Sequence, residues 1–148
     1  MSPPENHDAV GLRLNYLIDT DVLSAQAKRR PNPRIDAFLS RLPDDAQYLS
    51  VVTLAEIARG VHLQRRRDPG HARALERWLN HTRSSFASRI VPISPDIALR
   101  WAELTVRLGH VSLDLMIAAT ALVHDMTVVT GNIRHFKPTG ARAIDPTA

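Results

Sequence analysis

The sequence predicts an α/β fold: a three-layer α/β/α sandwich with a central, mostly parallel sheet of four to five strands. Two observations lead to this prediction. Short apolar runs recur along the chain, and stretches with the apolar spacing of helices separate them. Strands that alternate with helices pair in parallel, because each helix returns the chain to the edge where the previous strand began. We expect a single domain over residues 14–148, after a disordered tail over residues 1–13.

Five short apolar runs are the candidate strands. The first ends at Ile18, directly before an acidic residue, and the second has β-branched residues at its end. The last run, A-R-A-I, is the weakest of the five. In chain order, the candidate strands are residues 13–18, 46–52, 88–93, 126–130 and 141–144.

The segments between these runs have the periodicity of helices. Prolines or serines stand near the start of several of them, as is typical of helix N-termini. A turn with the sequence R-D-P-G joins two of them into a helical hairpin. The last one is almost wholly apolar after its first turn, which is typical of a helix buried inside a domain. The predicted helices are residues 31–42, 53–67, 71–86, 94–108 and 112–125.

Composition narrows the classes of function. The chain has no cysteine, which excludes a disulfide scaffold, a thiolate zinc site and a cysteine nucleophile. Its formal net charge is +4, and 17 of its 19 basic residues are arginine. Both features favour a polyanionic partner such as RNA, although a genome rich in G and C produces the same bias. No stretch approaches 18 apolar residues, so we expect a cytoplasmic protein with no membrane partner.

Acidic and amide side chains follow the predicted strands. Asp19 and Asp21 come directly after the first strand, and Glu56 lies four residues past the second. Asp114 lies in the first turn of the buried helix, and Asn132 follows the fourth strand. The carboxyl ends of parallel strands meet at one edge of a sheet, so we expect these side chains to lie close together.

Each of these acids also has a purely local explanation. Asp19 or Asp21 could cap the next helix, and Asp114 could stabilise a helix N-terminus through the helix dipole. Thr53 to Glu56 spells T-x-x-E, the pattern of a capping box. Independent caps, however, have no reason to gather at one edge of a sheet.

Clustered carboxylates repel one another, so they take up protons or bind a cation. With no cysteine and no histidine pair at helical ligand spacing, an all-oxygen site suits Mg²⁺, with Mn²⁺ as a substitute, better than Zn²⁺.

Other phosphate chemistries begin with similar residues. A D-x-D after the first strand also opens the site of haloacid-dehalogenase-like phosphatases. That pattern needs a later lysine and an acidic pair, whereas Lys137 is the only late lysine and no G-D-x-x-x-D pair follows Asp114. A receiver domain lacks its lysine after the fifth strand, and no nucleotide-binding glycine loop is present. Seven histidines leave a metal-free ribonuclease open, but their spacing singles out no pair.

Three segments together resemble the PIN-domain ribonucleases, and within them the VapC-type toxins of bacterial toxin–antitoxin pairs. "YLIDTDVLS" is similar to the family's opening "LLDTNVLS", with Asp19 on the first acid and Asp21 where asparagine is usual. "YLSVVTLAEIARG" is close to the second motif and puts Glu56 on the second acid. "SLDLMIAATALVHDMTVVTGNIRHF" looks like the third and fourth motifs, with Asp114 on the third acid and Asn132 at the variable fourth position. The likeness covers nearly the whole folded chain.

The resemblance implies a Mg²⁺-dependent endoribonuclease that hydrolyses RNA phosphodiester bonds with an activated water. It also implies a cognate antitoxin, whose C-terminal segment lies across the site, and a homodimer. The implied catalytic residues are Asp19, Glu56, Asp114 and Asn132, the first three as metal ligands, with Thr20, Asp21, Thr130 and His135 in support.

Several departures from the family pattern bear on the expected site. Asp21 stands at an asparagine position, so we expect it to cap the next helix or to orient the first acid. His135 stands where aspartate is frequent, and Gly131 where arginine or another polar residue is frequent, so we expect only one well-defined Mg²⁺ site. T-G-N alternatively forms a simple turn with positive φ. The connection over residues 107–114 is short, which could reshape the RNA groove or the dimer contact, or impair the enzyme.

A second hypothesis is a non-catalytic module that binds RNA or a partner protein. Its arginines could contact phosphates, and such binding weakens steeply with salt; a solvated surface is the alternative explanation. EDTA separates the two hypotheses, because it stops a metal-dependent enzyme and leaves simple binding largely unchanged. The candidate RNA-binding residues are Arg29, Arg30, Arg65 and Arg66, with Arg34 and Arg67 nearby.

Overall fold

Five short strands form a central sheet in the computed structural model, which describes residues 14–28 and 30–148. The strands are β1 (Tyr16–Ile18), β2 (Gln47–Ser50), β3 (Ile90–Val91), β4 (Thr127–Val129) and β5 (Ala143–Ile144). Their spatial order is β3-β2-β1-β4-β5, and every neighbouring pair is parallel. The predicted mostly parallel sheet of four to five strands is confirmed. The expected tail over residues 1–13 lies outside the described residues.

Seven helices surround this sheet in the described part of the chain. They are α1 (Thr20–Ala25), α2 (Pro33–Ser40), α3 (Val51–Arg67), α4 (Pro69–Ser85), α5 (Pro95–Leu108), α6 (Leu113–His124) and α7 (Ile133–Phe136). Short 3₁₀ turns precede β2, β3 and β5. All five predicted helices are present, and α1 and α7 are short additions that the apolar periodicity did not indicate. None of the helices described is long and apolar enough to cross a membrane.

The sheet separates two apolar clusters, which makes the fold three-layered. Side chains alternate between the faces of a strand, so Leu17 packs into one cluster while Tyr16 and Ile18 pack into the other. The Leu17 cluster includes buried residues of α5, α6 and α7, and the Ile18 cluster includes residues of α1, α2 and α3. The predicted α/β/α sandwich is therefore confirmed.

Polar caps set where the helices begin. Ser50 caps α3 by accepting from the amide of Val52, so this helix starts at Val51, two residues earlier than predicted. Thr53 consequently lies inside the helix, and the alternative of a T-x-x-E capping box is wrong. Asp68 is the single residue between α3 and α4, and its carboxylate caps α4. The predicted hairpin is confirmed, with a tighter turn than expected.

Candidate functional site

Asp19 lies where the strand order reverses at the carboxyl edge of the sheet. The chain leaves β1 toward β2 and β3, whereas β4 and β5 lie on the other side, which opens a crevice between the ends of β1 and β4. Asp19 follows β1, and its amide donates to the carbonyl of Val129 in β4 at 2.9 Å. Thr130 follows β4 on the opposite side of this crevice.

The side chain of Asp19 is almost completely buried, with only 3% of the residue exposed. It caps α1, and its Oδ1 accepts from the amide of Thr20 at 2.8 Å. The hydroxyl of Thr130 donates to its Oδ2 at 2.7 Å. No cation in the described part of the chain pairs with this carboxylate. Asp19 is thus held in one orientation by two neutral donors while its charge stays uncompensated.

The pKa of Asp19 is raised from its ordinary 3.8 to about 7, mainly because the carboxyl group is buried. The negative charges of Asp21 and Asp114 contribute to this rise, whereas the hydrogen bonds from Thr130 and Thr20 oppose it. Asp114 therefore lies near enough to Asp19 for the two charges to interact. A bound cation would offset both the burial and the repulsion.

Thr20 connects Asp19 to Glu56. The Thr20 hydroxyl donates to Glu56 Oε1 at 2.7 Å and lies 3.1 Å from the hydroxyl of Thr53, which is itself buried. Glu56 lies in the second turn of α3, and the early start of that helix brings Thr53 toward α1. Thr20, which was predicted to support the site, thus contacts the carboxylate of Glu56.

Asp21 binds the loop that follows β4. Its Oδ1 accepts from the amide of Val22 at 2.8 Å, and its Oδ2 accepts from the amide of Gly131 at 3.1 Å and from Asn132 Nδ2 at 3.5 Å. The expectation that Asp21 caps the next helix is wrong, because Asp19 occupies the cap position. Asp21 instead ties α1 to the segment that carries Asn132.

Gly131 permits this close contact. A Cβ atom at Gly131 would lie 2.9 Å from Asp21 Oδ2, which is shorter than real Cβ contacts. Neither Gly131 nor Asn132 has a positive φ, so the alternative explanation of T-G-N as a positive-φ turn is wrong. The backbone N–H of Asn132 instead donates to the Thr130 hydroxyl at 3.0 Å. Glycine stands here because a carboxylate approaches, and not because the backbone is left-handed.

Asp114 and His135 line an open cleft beside the buried acid. Ser112 caps α6, which places Asp114 in its first turn, and His135 Nδ1 lies 3.0 Å from Asp114 Oδ2. The cleft has a volume of about 420 Å³, and His110 and Arg134 also line it. The short connection after α5 therefore forms part of the rim. Neither His110 nor Arg134 was predicted as a site residue, although His110 lies in the short connection over residues 107–114 and Arg134 directly precedes His135.

The donor types of this edge fit a hard divalent cation, but the ligands are not gathered in one group. Carboxylates are the ligands that Mg²⁺ uses in proteins, and Asp19 is a buried carboxylate with which no cation of the described residues pairs. Yet over residues 14–28 and 30–148 no three Asp, Glu or His side chains lie together in a group that could hold a metal ion. Two of the acids have other partners: Thr20 binds Glu56, and His135 binds Asp114.

The four candidate RNA-binding arginines have different surroundings. Arg65 donates to Glu76 at 3.0 Å and contacts His62, so its guanidinium is already paired. Arg30 and Arg66 are exposed, and Arg29 lies outside the described residues.

Comparisons with known proteins agree with this architecture. The family model described as PIN domain matches residues 16–140. Toxin FitB of Neisseria gonorrhoeae is 31% identical over 138 residues, which cover 88% of this chain and 96% of FitB. VapC ribonuclease Y4jK of Sinorhizobium fredii is 28% identical over 137 residues, with the same coverage.

Solved structures agree in the same way. The crystal structure of FitAcB from N. gonorrhoeae superposes with a TM-score of 0.79 at 31% identity, covering 88% of this chain and 97% of that chain. A toxin-antitoxin complex from Klebsiella pneumoniae shares the fold, with a TM-score of 0.65 at 24% identity over 89% of this chain and 98% of that chain. A haloacid-dehalogenase-like phosphatase is thereby rejected. The chain belongs to the PIN-domain family, and its relatives there include a toxin, FitB, and a VapC ribonuclease.

Proposed function

We propose that this protein is a Mg²⁺-dependent endoribonuclease that acts as the toxin of a toxin–antitoxin pair, with Mn²⁺ as a substitute cofactor. One observation carries the proposal. Asp19 is a buried carboxylate at the carboxyl edge of the sheet, no cation of the described residues pairs with it, and the charges of Asp21 and Asp114 act on it. Such a site gains most from a divalent cation, because the cation removes both the cost of burial and the repulsion between acids.

Asp19, Asp114 and Glu56 would hold the ion. A bound Mg²⁺ supplies polarisation of a phosphoryl oxygen, a lowered pKa for the attacking water and stabilisation of the leaving oxygen. The protein's own contribution is orientation. Thr130 and Thr20 fix both oxygens of Asp19, and the Thr20 hydroxyl holds Glu56, so one residue positions two acids.

The open cleft next to Asp114 suits the substrate. His110, Arg134 and His135 surround it, and these side chains can donate hydrogen bonds to phosphate or base oxygens. Arg134 has no hydrogen bond or ion pair with any described residue, which leaves its five donors available to an incoming phosphate.

A cognate antitoxin is part of the proposal. The relatives include a toxin called FitB and a toxin-antitoxin complex that shares this fold. The same cleft, with its acids, would accept a basic segment of such an antitoxin. A homodimer in the cytoplasm remains part of the expectation from the resemblance.

The test is RNA cleavage by the wild type, Asp19→Ala and Asp114→Asn, each in Mg²⁺ and in EDTA. We expect cleavage by the wild type in Mg²⁺ alone, and none by either variant. Asp96→Asn is the matched control, because Asp96 is an exposed acid in the first turn of α5 and does not line the cleft beside Asp114. Cleavage by Asp19→Ala at the wild-type rate would refute the site.

A second candidate is a catalytically weak module that binds RNA or a partner protein. The observation that favours it is the lack of a preassembled group of three metal ligands in the part of the chain that the structure describes. EDTA-insensitive RNA binding without cleavage in Mg²⁺ or Mn²⁺ would select this candidate.

A further inference from the structure

The positive charge of the protein is concentrated in one supersecondary unit. The basic hairpin, formed by α3 and α4 over residues 51–85, has seven arginines and three acids and thus a formal net charge of +4. This equals the net charge of the whole chain, because the other 113 residues carry twelve basic and twelve acidic residues. A polyanion is therefore attracted to this unit rather than to the surface in general.

Two of these arginines lie on one side of α3, in line with Glu56. Arg59, Leu63 and Arg66 follow Glu56 at spacings of three, seven and ten residues, which places all four on the same side of the helix. Arg59, Leu63 and Arg66 line one shallow groove of about 360 Å³, together with His62. We use the name basic stripe for Arg59, His62, Leu63 and Arg66.

The two arginines of the basic stripe are available to a ligand. Neither Arg59 nor Arg66 has a hydrogen bond or ion pair with another residue in the described ranges 14–28 and 30–148, and both are exposed. Arg65 differs, because Glu76 holds it from α4. Glu76 therefore competes with RNA for the predicted RNA-binding residue Arg65. Arg59 was not predicted to bind RNA, and no described residue competes for it.

The basic stripe starts beside the acids and leads away from them. Arg59 is less than one helical turn beyond Glu56, and Arg66 lies about 15 Å from Glu56 along the helix axis, at about 1.5 Å per residue. A strand of RNA that is cut at the acids would extend beyond them on both sides of the cleaved bond. The basic stripe begins next to Glu56 and offers positive charge to the phosphates of one of these flanking segments.

We propose that the basic stripe binds the phosphates of single-stranded RNA flanking the cleaved bond, with Arg59 and Arg66 each neutralising one phosphate. This proposal rests on the proposed function. Unpaired guanidinium groups match phosphate oxygens in geometry and charge. The groove is also lined by Ala55 and Ala58, so Leu63 is its one large apolar side chain. A single leucine offers little apolar area to a partner protein, so we commit to RNA.

The test measures binding of a fluorescein-labelled 20-nucleotide RNA to the full-length protein in EDTA, where cleavage does not interfere. The variant is Arg59→Gln/Arg66→Gln. The matched control is Arg73→Gln/Arg77→Gln, which removes the same charge from exposed positions of α4 in the same hairpin. Loss of two phosphate contacts should lower the slope of log Kd against log salt by about 1.4. Between 50 and 200 mM salt, the wild type should lose about sevenfold more affinity than the variant.

Cleavage kinetics in Mg²⁺ provide a second readout. The double variant should raise KM for the 20-nucleotide RNA and leave kcat unchanged, and Arg59→Lys/Arg66→Lys should recover most of the binding because lysine also neutralises phosphate. An unchanged salt slope, or an equal change in the α4 control, would overturn the proposal, as would loss of antitoxin binding with RNA binding intact. Absence of cleavage by the wild type would instead refute the proposed function. The two failures are distinguishable, because the binding assay in EDTA does not require cleavage.

Discussion

Replacing Asp19 by asparagine should stabilise the protein at high pH in the absence of metal. The carboxylate is buried, no cation within residues 14–28 and 30–148 pairs with it, and its pKa rises from 3.8 to about 7 on folding. Asparagine preserves the shape of the side chain. Its oxygen can still accept from the Thr20 amide, and its amide group can donate to the Thr130 hydroxyl in place of the present bond.

The magnitude follows from the difference in proton affinity. Because the folded state binds this proton more tightly than the unfolded chain, stability is complete below about pH 4 and is lost as the pH rises through about 7. One pKa unit corresponds to about 1.4 kcal/mol. Relative to pH values below 4, the raised pKa therefore lowers the stability of the folded state by about 4 kcal/mol at pH 8, where Asp19 is ionised, and by about 1.5 kcal/mol at pH 5, where Asp19 takes up a proton on folding. Asparagine has no cost that varies with pH.

The assay is urea unfolding of the wild type and Asp19→Asn at pH 5 and pH 8 in EDTA. Comparing the two pH values cancels any fixed effect of asparagine on the helix cap. The advantage of the variant should be about 2.5 kcal/mol larger at pH 8 than at pH 5. For the control Asp96→Asn, which changes an exposed acid in the first turn of α5, the corresponding difference should stay below about 0.5 kcal/mol.

An advantage of Asp19→Asn that is the same at both pH values would refute the reasoning, since it would mean that the buried carboxylate is not costly when ionised. Mg²⁺ extends the test. At 100 times its dissociation constant, a ligand of the folded state stabilises it by about 2.7 kcal/mol. At pH 8, Mg²⁺ should raise the stability of the wild type and leave Asp19→Asn nearly unchanged.

Two further predictions concern the contacts around the site. Gly131→Ala should destabilise the fold by about 1 to 2 kcal/mol, because its Cβ would lie 2.9 Å from Asp21 Oδ2, and an Asp21→Ala background should abolish most of this cost in a double-mutant cycle. Equal costs in both backgrounds would contradict the contact. Ser50→Ala should cost about 1 kcal/mol in thermal unfolding because it removes the cap of α3, whereas Ser84→Ala, at an exposed position of α4, should cost under about 0.5 kcal/mol. If the two serine variants unfold alike, the assignment of Ser50 as the cap is wrong.

The layer order and the parallel sheet were predictable because they depend on periodicity. Apolar runs of strand length and helical stretches alternate regularly, and parallel pairing follows from that alternation. The boundaries were less predictable where two caps compete within a few residues. At the start of α3, Thr53 with Glu56 matched a known pattern, but Ser50 forms the cap and so turns Thr53 inward toward Thr20.

The sequence alone determined which acids lie at the carboxyl edge of the sheet, because the position of a residue relative to its strand depends on chain order. Only the tertiary structure decided what each one contacts. It made Asp19 the helix cap, joined Asp21 to Gly131, and set Arg65 apart from Arg66 by pairing it with Glu76. The contact of Asp21 with Gly131 joins residues 110 positions apart, and the Arg65–Glu76 pair joins two helices, so both depend on distances that exist only in the folded chain. The choice of Asp19 over Asp21 as the cap is local, and the sequence left both open.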